Sequence, residues 1–251
     1  MSESKRHRHN AGIGPKSYEK HFLIKNACSA QIAILDLKIG GRGVIIDMHA
    51  GDGNGAALPQ MDMFREATSE ASPVLAERLA RCCHNPGYAD VILCESHPQR
   101  RNHLKEQFGT RVHILSNNKN LLNYDFSCYA WGFVINDPCG HSGHAVDVLE
   151  FLSVSLPKAD FLIVVNEGSL NRHLGLKLPR KEKEGSLVQH AYESKERYAW
   201  MLDPQNWRRR LQRRSVVSYA ATINNRAFRG RVLIVTNYVA EPLRRGLWSV
   251  Q

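Results

Sequence analysis

The chain has 251 residues, 43% of them hydrophobic, and a formal net charge of +10 from 34 basic and 24 acidic side chains. That length admits one α/β domain with a complete core and a short appendage, and without an apolar run of about eighteen residues no membrane-spanning helix is expected. The basic balance favours a polyanionic partner, because each neutralised phosphate releases condensed counterions.

The basic start, Met1 to His9, runs into no apolar stretch with a small-residue cleavage site, which argues against a secretory signal. Residues 1–16 read as a disordered basic N-terminus, with Gly12, Gly14 and Pro15 as breakers. The remainder, 17–251, reads as a single domain. Its six cysteines (Cys28, Cys82, Cys83, Cys94, Cys128, Cys139) form no Cys-x-x-Cys pair and lack metal-ligand spacing with the histidines. Reduced thiols in a cytoplasmic protein, and no metal site, are the expectation.

From Ser17 to about Leu37 the apolar spacing suits an amphipathic helix with Ser17 as N-cap, ended by Gly40, Gly41 and Gly43. Val44-Ile45-Ile46-Asp47 reads as a buried strand, followed by a glycine-rich turn and a polar loop through Glu70. Ser72-Pro73 predicts a helix start, with Ser72 as N-cap and Pro73 in the first turn. Three further pairs follow: strand 91–95 with helix 98–108, strand 112–115 with a polar linker, and strand 131–136 with helix 144–156. A fifth strand lies at 161–165. Strands alternating with helices imply a parallel sheet. The chain end breaks the alternation, because 215–223 and 231–239 are strand-like and too close together for a crossover helix, so they predict an antiparallel hairpin.

Open α/β sheets bind ligands beyond the carboxyl ends of their strands. Asp47 ends the first strand, and Met48-His49-Ala50-Gly51-Asp52-Gly53 follows it. Glycines let backbone approach a ligand closely, and a carboxylate there can attract the amino group of an amino-acid moiety. Gly51-x-Gly53-x-x-Ala56 also satisfies the dinucleotide fingerprint. That fingerprint places an acid about 20 residues on, whereas the next strand-terminal acid, Glu95, lies farther. Glu95 suits a hold on two ribose hydroxyls in either case. Asn136-Asp137-Pro138-Cys139-Gly140 ends the fourth strand, where Pro138 stiffens the turn and Asp137 can bond an acceptor amine.

The order of these pieces resembles class I S-adenosylmethionine-dependent methyltransferases. Asp47-x-x-Ala50-Gly51-x-Gly53 matches the first motif, Glu95 the acid after the second strand, and Asn136-Asp137-Pro138 lies near the fourth motif. More narrowly, the Asp47–Gly53 loop, Ser72-Pro73 and Asp137-Pro138-Cys139-Gly140 are similar to the three-Cys-motif partner proteins across 44–165. The resemblance implies a Rossmann-like methyltransferase fold: a mostly parallel seven-stranded sheet with a C-terminal antiparallel hairpin and helices on both faces. It implies S-adenosylmethionine as cofactor, bound by Asp47, His49, Ala50, Gly51, Asp52, Gly53, Glu95, Ser96 and Asn117. Asp137, Asn136 and Pro138 would face the acceptor. Three positions depart from the pattern. His49 and Cys139 replace aromatics, and Ser116 or Asn117 stands where an acid often reads adenine. Amino-methylating nucleic-acid enzymes use the aromatic at the Cys139 position to stack on a flipped base.

The insertion at about 168–214 is basic: from Arg172 to Arg214 twelve Lys or Arg face five Asp or Glu, interleaved with Tyr192, Tyr198, Trp200 and Trp207. Arginines among aromatics suit phosphate tracking with base stacking. Arg172, Arg180, Lys181, Arg208 and Arg209 are the candidate substrate contacts, with the stretch at 177–186 read as a loop. A methyltransferase acting on DNA or RNA is the leading reading. Its rivals are a methyltransferase-fold protein that binds nucleic acid or a protein partner without catalysis, and a nicotinamide-dependent oxidoreductase.

Overall fold

The computed structural model describes residues 18–53, 71–83, 89–138, 144–165, 200–222 and 229–238. The segment 1–16, the stretch at 177–186, Cys139, Arg172, Arg180 and Lys181 lie outside them. Helix α1 (Tyr18–Ile39) leads into β1 (Gly43–Asp47), and α2 (Ser72–Arg81) into β2 (Ala89–Cys94). Helix α3 (Pro98–Phe108) precedes the short β3 (His113–Leu115). A 3-10 turn at Asn118–Asn123 precedes β4 (Trp131–Asn136), and α4 (Val146–Ser155) leads into β5 (Ala159–Val165). Within the insertion lies α5 (Pro204–Arg210), and after it come β6 (Ser215–Thr222) and β7 (Arg229–Thr236).

The seven strands form one sheet in the order β3-β2-β1-β4-β5-β7-β6. Pairing is parallel from β3 through β5, while β7 runs antiparallel to both β5 and β6. This is the Rossmann-like methyltransferase arrangement implied by the sequence. Alternating side chains of each strand feed two apolar layers. Ile45, Phe133, Ile135, Leu162 and Val164 pack beneath α1, α2 and α3. Val44, Ile46, Val134, Phe161 and Ile163 pack beneath α4 and α5. Both faces are therefore dry, which is why the strands read as continuous apolar runs rather than alternating ones. Gly43 is required where β1 passes Trp131: a Cβ there would lie 2.1 Å from a ring carbon.

β1 pairs with β2 on one side and β4 on the other, and the chain reverses its direction of travel across the sheet between β3 and β4. The crevice beyond the carboxyl ends of β1 and β4 is thus the topological switch point, where open α/β sheets take their ligands.

Several expected boundaries move for local reasons. Ser72 is not an N-cap: the helix already includes it, Ala71 holds the cap position without a side-chain bond, and Pro73 sits in the first turn. The fourth helix starts at Val146 rather than His144, because Ala145 adopts a left-handed φ of 44° and breaks the run. The polar linker after β3 hides a 3-10 turn that buries Leu121, and Phe126 beyond it also enters the core.

Arg213, counted from the sequence within the basic surface, is instead 6% exposed. Its guanidinium donates to the carbonyls of Ala159 (2.6 Å), Leu211 (2.7 Å), Leu156 (3.1 Å) and Ser153 (3.3 Å). It also lies 5.1 Å from the centroid of the Phe161 ring. It ties the end of α4 and the start of β5 to the approach into β6, and its burial lowers the guanidinium's affinity for its proton. Arg213→Met keeps the aliphatic stem but strands those carbonyls, and should cost about 3 kcal/mol in a denaturant midpoint measurement. A loss within about 0.5 kcal/mol would show that the arginine is ordinary surface charge.

Candidate functional site

Asp47 ends β1 wholly buried. One carboxylate oxygen, Oδ1, accepts the His49 backbone N–H at 3.0 Å. The other, Oδ2, is buried and has no hydrogen-bond partner among the described residues. Burial pushes its pKa from 3.8 to about 6, against the nearby Ser72 hydroxyl and the His49 N–H, and the charges of Asp137 and Glu95 push in the same direction as burial. Asp47, Glu95 and Asp137 therefore share one electrostatic neighbourhood, drawn together from the carboxyl ends of β1, β2 and β4. Burial and the Asp47 charge also raise the thiols of Cys28 and Cys94. Those thiols stay neutral neighbours.

The loop after β1 is fastened to both flanking strands. Met48 N–H donates to Ile135 O of β4 at 3.0 Å, and Ala50 N–H to Cys94 O of β2 at 3.1 Å. Gly51 and Gly53 then take positive φ of 67° and 74°. A Cβ on Gly51 would meet nothing within 4 Å among the described residues, whereas one on Gly53 would approach Gln107 and Leu104 of α3. Two glycines separated by Asp52 thus do different work: one keeps the backbone bare, the other lets the loop pass α3. Ala50 is buried and Asp52 half-buried.

Glu95, 7% exposed, follows β2. Its Oε1 accepts the His97 N–H at 2.7 Å, and its Oε2 lies 3.9 Å from the Arg100 guanidinium. Arg101 donates to the Glu95 and Ser96 carbonyls at 3.0 and 2.5 Å, which fixes the turn into α3. Ser96 itself is exposed. Asn117, also exposed, caps the 3-10 turn, with its Oδ1 accepting the Asn120 N–H at 3.2 Å. Its placement explains the residue by local backbone chemistry. At β4, Asp137 is half-buried and Pro138 buried.

Asn136 was expected to face an acceptor. It is fully buried, with its amide between two histidines: Oδ1 is 3.1 Å from His49 Nε2, and Nδ2 is 3.0 Å from His144 Nδ1 and 3.3 Å from His144 O. His144, 2% exposed, lies 5.4 Å from the Trp207 ring. Nothing in the sequence signals this chain: a histidine eight residues beyond Asn136 carries no periodic or motif signature.

Trp207, a candidate base-stacking residue, is instead fully buried in the core, with its indole N–H on Met201 O at 3.0 Å. Trp200 packs on it at 4.7 Å and is covered by Arg210 at 4.3 Å. Arg208 and Arg209 lie in the last turn of α5, bonded to Gln205 (2.8 Å) and Asn206 (2.5 Å). From there the chain enters β6, whose first residue Ser215 pairs with Thr236. β7 reaches Thr236 just past Val235, opposite Phe161 at the start of β5. This turn therefore heads for the amino-terminal edge of the sheet, away from Asp47, because β6 must begin there to run antiparallel to β7. Among the described residues no group of His, Cys, Asp and Glu could hold a metal, and no helix is long and apolar enough to cross a membrane.

No family model and no curated protein sequence matches the chain. Solved structures do. Protein LPL1258 from Legionella pneumophila superposes with a TM-score of 0.51 at 11% identity, over 92% of this chain and 88% of that one. The plantazolicin methyltransferase BamL, in a complex containing SAH, gives 0.47 at 14% identity, over 89% and 87%. A human methyltransferase 10 domain containing protein gives 0.38 at 8%, over 87% and 82%. At these identities the likeness concerns the fold.

Because the folded pKa of Asp47 lies above its unfolded value, its contribution to stability is full below pH 4 and is lost as pH rises through about 6. Asp47→Asn removes that loss. The variant should equal the parent near pH 4 and exceed it by roughly 3 kcal/mol at pH 7.5 in urea unfolding. A gap that stays constant with pH would refute the raised pKa.

Proposed function

We propose that the protein is an S-adenosylmethionine-dependent methyltransferase. One observation carries the reading: a fully buried carboxylate ends β1 at the switch point with one oxygen unpartnered among the described residues, beside a glycine whose Cβ position is open among them. Evolution keeps a buried, uncompensated charge where a ligand compensates it. The ammonium of an amino-acid moiety is the matching group. The residues fit such a ligand. Asp47 would hold the ammonium, the backbone at Gly51 would admit the chain, and Glu95 would accept ribose hydroxyls.

The cofactor supplies an electrophilic methyl on a sulfonium. The protein's share is to bind it, exclude water and bring an acceptor into line, which is catalysis by positioning. Asp137, half-buried and in the electrostatic field of Asp47, is the group we assign to the acceptor, accepting its hydrogen or its proton. Asn136 we assign to support, since its amide is committed to His49 and His144. Asp52, Ser96 and Asn117 would line the adenosine side, and Pro138 would stiffen the turn.

For the acceptor we infer nucleic acid, supported by the +10 charge and the basic stretch 172–214. Arg172, Arg180 and Lys181 are the candidate contacts, and because α5 leads away from the site edge, Arg208 and Arg209 would touch more distant phosphates. We further place the chain beside the three-Cys-motif partner proteins, on the Asp47–Gly53 loop, Ser72-Pro73 and Asp137-Pro138. We place it in the cytoplasm, on the free state of its described cysteines. The sealed amide of Asn136 also favours a second reading, a methyltransferase-fold protein that binds a partner without transferring methyl groups.

Calorimetry with S-adenosylmethionine should give micromolar binding that weakens at least tenfold in Asp47→Ala and Glu95→Ala. No binding to the intact protein would end the proposal. Transfer of labelled methyl groups to mixed DNA and RNA, abolished in Asp137→Ala, separates the catalytic reading from the non-catalytic one. In filter binding, Arg172→Ala/Arg180→Ala/Lys181→Ala should flatten the dependence of log K on log salt by about 2 to 3. An unchanged slope would remove the insertion from the interface.

A further inference from the structure

The amide of Asn136 can be oriented without seeing a hydrogen. Its nitrogen end lies against both Nδ1 and the backbone carbonyl of His144. A carbonyl only accepts, so the end of the amide facing it must be the NH2 group. The oxygen end then faces His49 Nε2, which must carry a hydrogen. By the same logic His144 Nδ1 must be an acceptor, so His144 is neutral with its hydrogen on Nε2. The two ends differ in one respect. A second proton on His49 leaves the chain intact, because Nε2 still donates. A proton on His144 Nδ1 would set two donors against each other.

We propose that Asn136 and His144 are positioning residues for His49, holding its ring in the Nε2–H tautomer and in one orientation at the β1–β4 crevice. The geometry serves three elements at once. His49 belongs to the loop that also carries Asp47 and Gly51, Asn136 ends β4, and His144 precedes α4 and packs on Trp207 of α5. The anchor of the basic insertion is thereby joined to the ligand loop through two hydrogen bonds and one ring contact. The imidazole of His49 offers both a flat ring and a donor for Asn136, where a phenyl ring would offer only the first. That a ring held there bears on a ligand rests on the cofactor reading above. The hydrogen-bond chain itself does not.

The test is long-range 1H–15N correlation of the histidine rings in the full chain, with His49 and His144 assigned through His49→Gln and His144→Asn. Both should show a protonated Nε2 and an unprotonated Nδ1. Asn136→Asp presents acceptors at both ends, so His144 should become protonated at Nδ1 while His49 keeps its Nε2–H. A neutral His49 carrying its hydrogen on Nδ1, a His144 protonated at Nδ1 in the parent, or a His144 unmoved in Asn136→Asp, would overturn the proposal. Asn136→Leu is the second variant, and it should release His49 into a mixture of tautomers. S-adenosylhomocysteine added to saturation should shift His49 and spare His113, exposed on the β3 edge. If the tautomers are as stated but this ligand shifts nothing, the cofactor reading fails and the positioning chain stands.

Discussion

A carboxylate buried at the end of β1, with one oxygen unpartnered among the described residues, is the constraint around which the ligand edge is built. Desolvation opposes its charge, and the Ser72 hydroxyl and the His49 N–H favour it. The fold holds Asp47 in this position because β1 is covered on both faces and bonded on both edges. Such a site is costly when empty and favourable when a cation enters. Stability given up at one residue is returned as binding energy, the usual relation between a destabilised site and its ligand.

A comparable buried carboxylate lies at the opposite edge and shows how the protein treats an acid with no ligand to serve. Asp160 is also raised to about 6 by burial. Yet its Oδ2 accepts from Gln31 Nε2 at 2.6 Å and its Oδ1 from the Asn237 N–H at 3.1 Å, and the Arg213 charge favours its ionised form. These bonds tie α1 to the terminal hairpin. Two buried aspartates share one fold, one with both oxygens satisfied and one left open. The contrast supports reading the open one as a binding group.

The sheet was legible because its signals are local and strong. Buried strands such as Val44–Ile46 and Phe161–Val165 appear as unbroken apolar runs, and the short gap between 223 and 231 forces a hairpin. The glycine loop and its acids were legible because backbone geometry restricts which residues can stand there. The rest depended on contacts between distant parts of the chain. Ser72 could be placed at a helix start but not beside Asp47. Trp207 and Arg213 looked like parts of a nucleic-acid surface because aromatic and basic residues carry the same letters in a core. Only packing showed one filling the layer beneath β5 and the other bonding four carbonyls. Asn136 sat inside a recognisable motif, while its histidine partners came from a loop and a helix approach that no spacing connects.

The most direct measurement of the central claim is the titration of the Asp47 side-chain carboxyl by 13C NMR, with and without saturating S-adenosylhomocysteine. The ligand retains the ammonium and lacks the transferable methyl, so it reports on charge compensation alone. The account predicts a pKa of about 6 in the free protein and a fall of at least one unit when the ligand binds, as a cation within reach of a carboxylate requires. A pKa that stays where it is, with the ligand demonstrably bound, would contradict the assignment of Asp47 as the group that receives the ligand's charge.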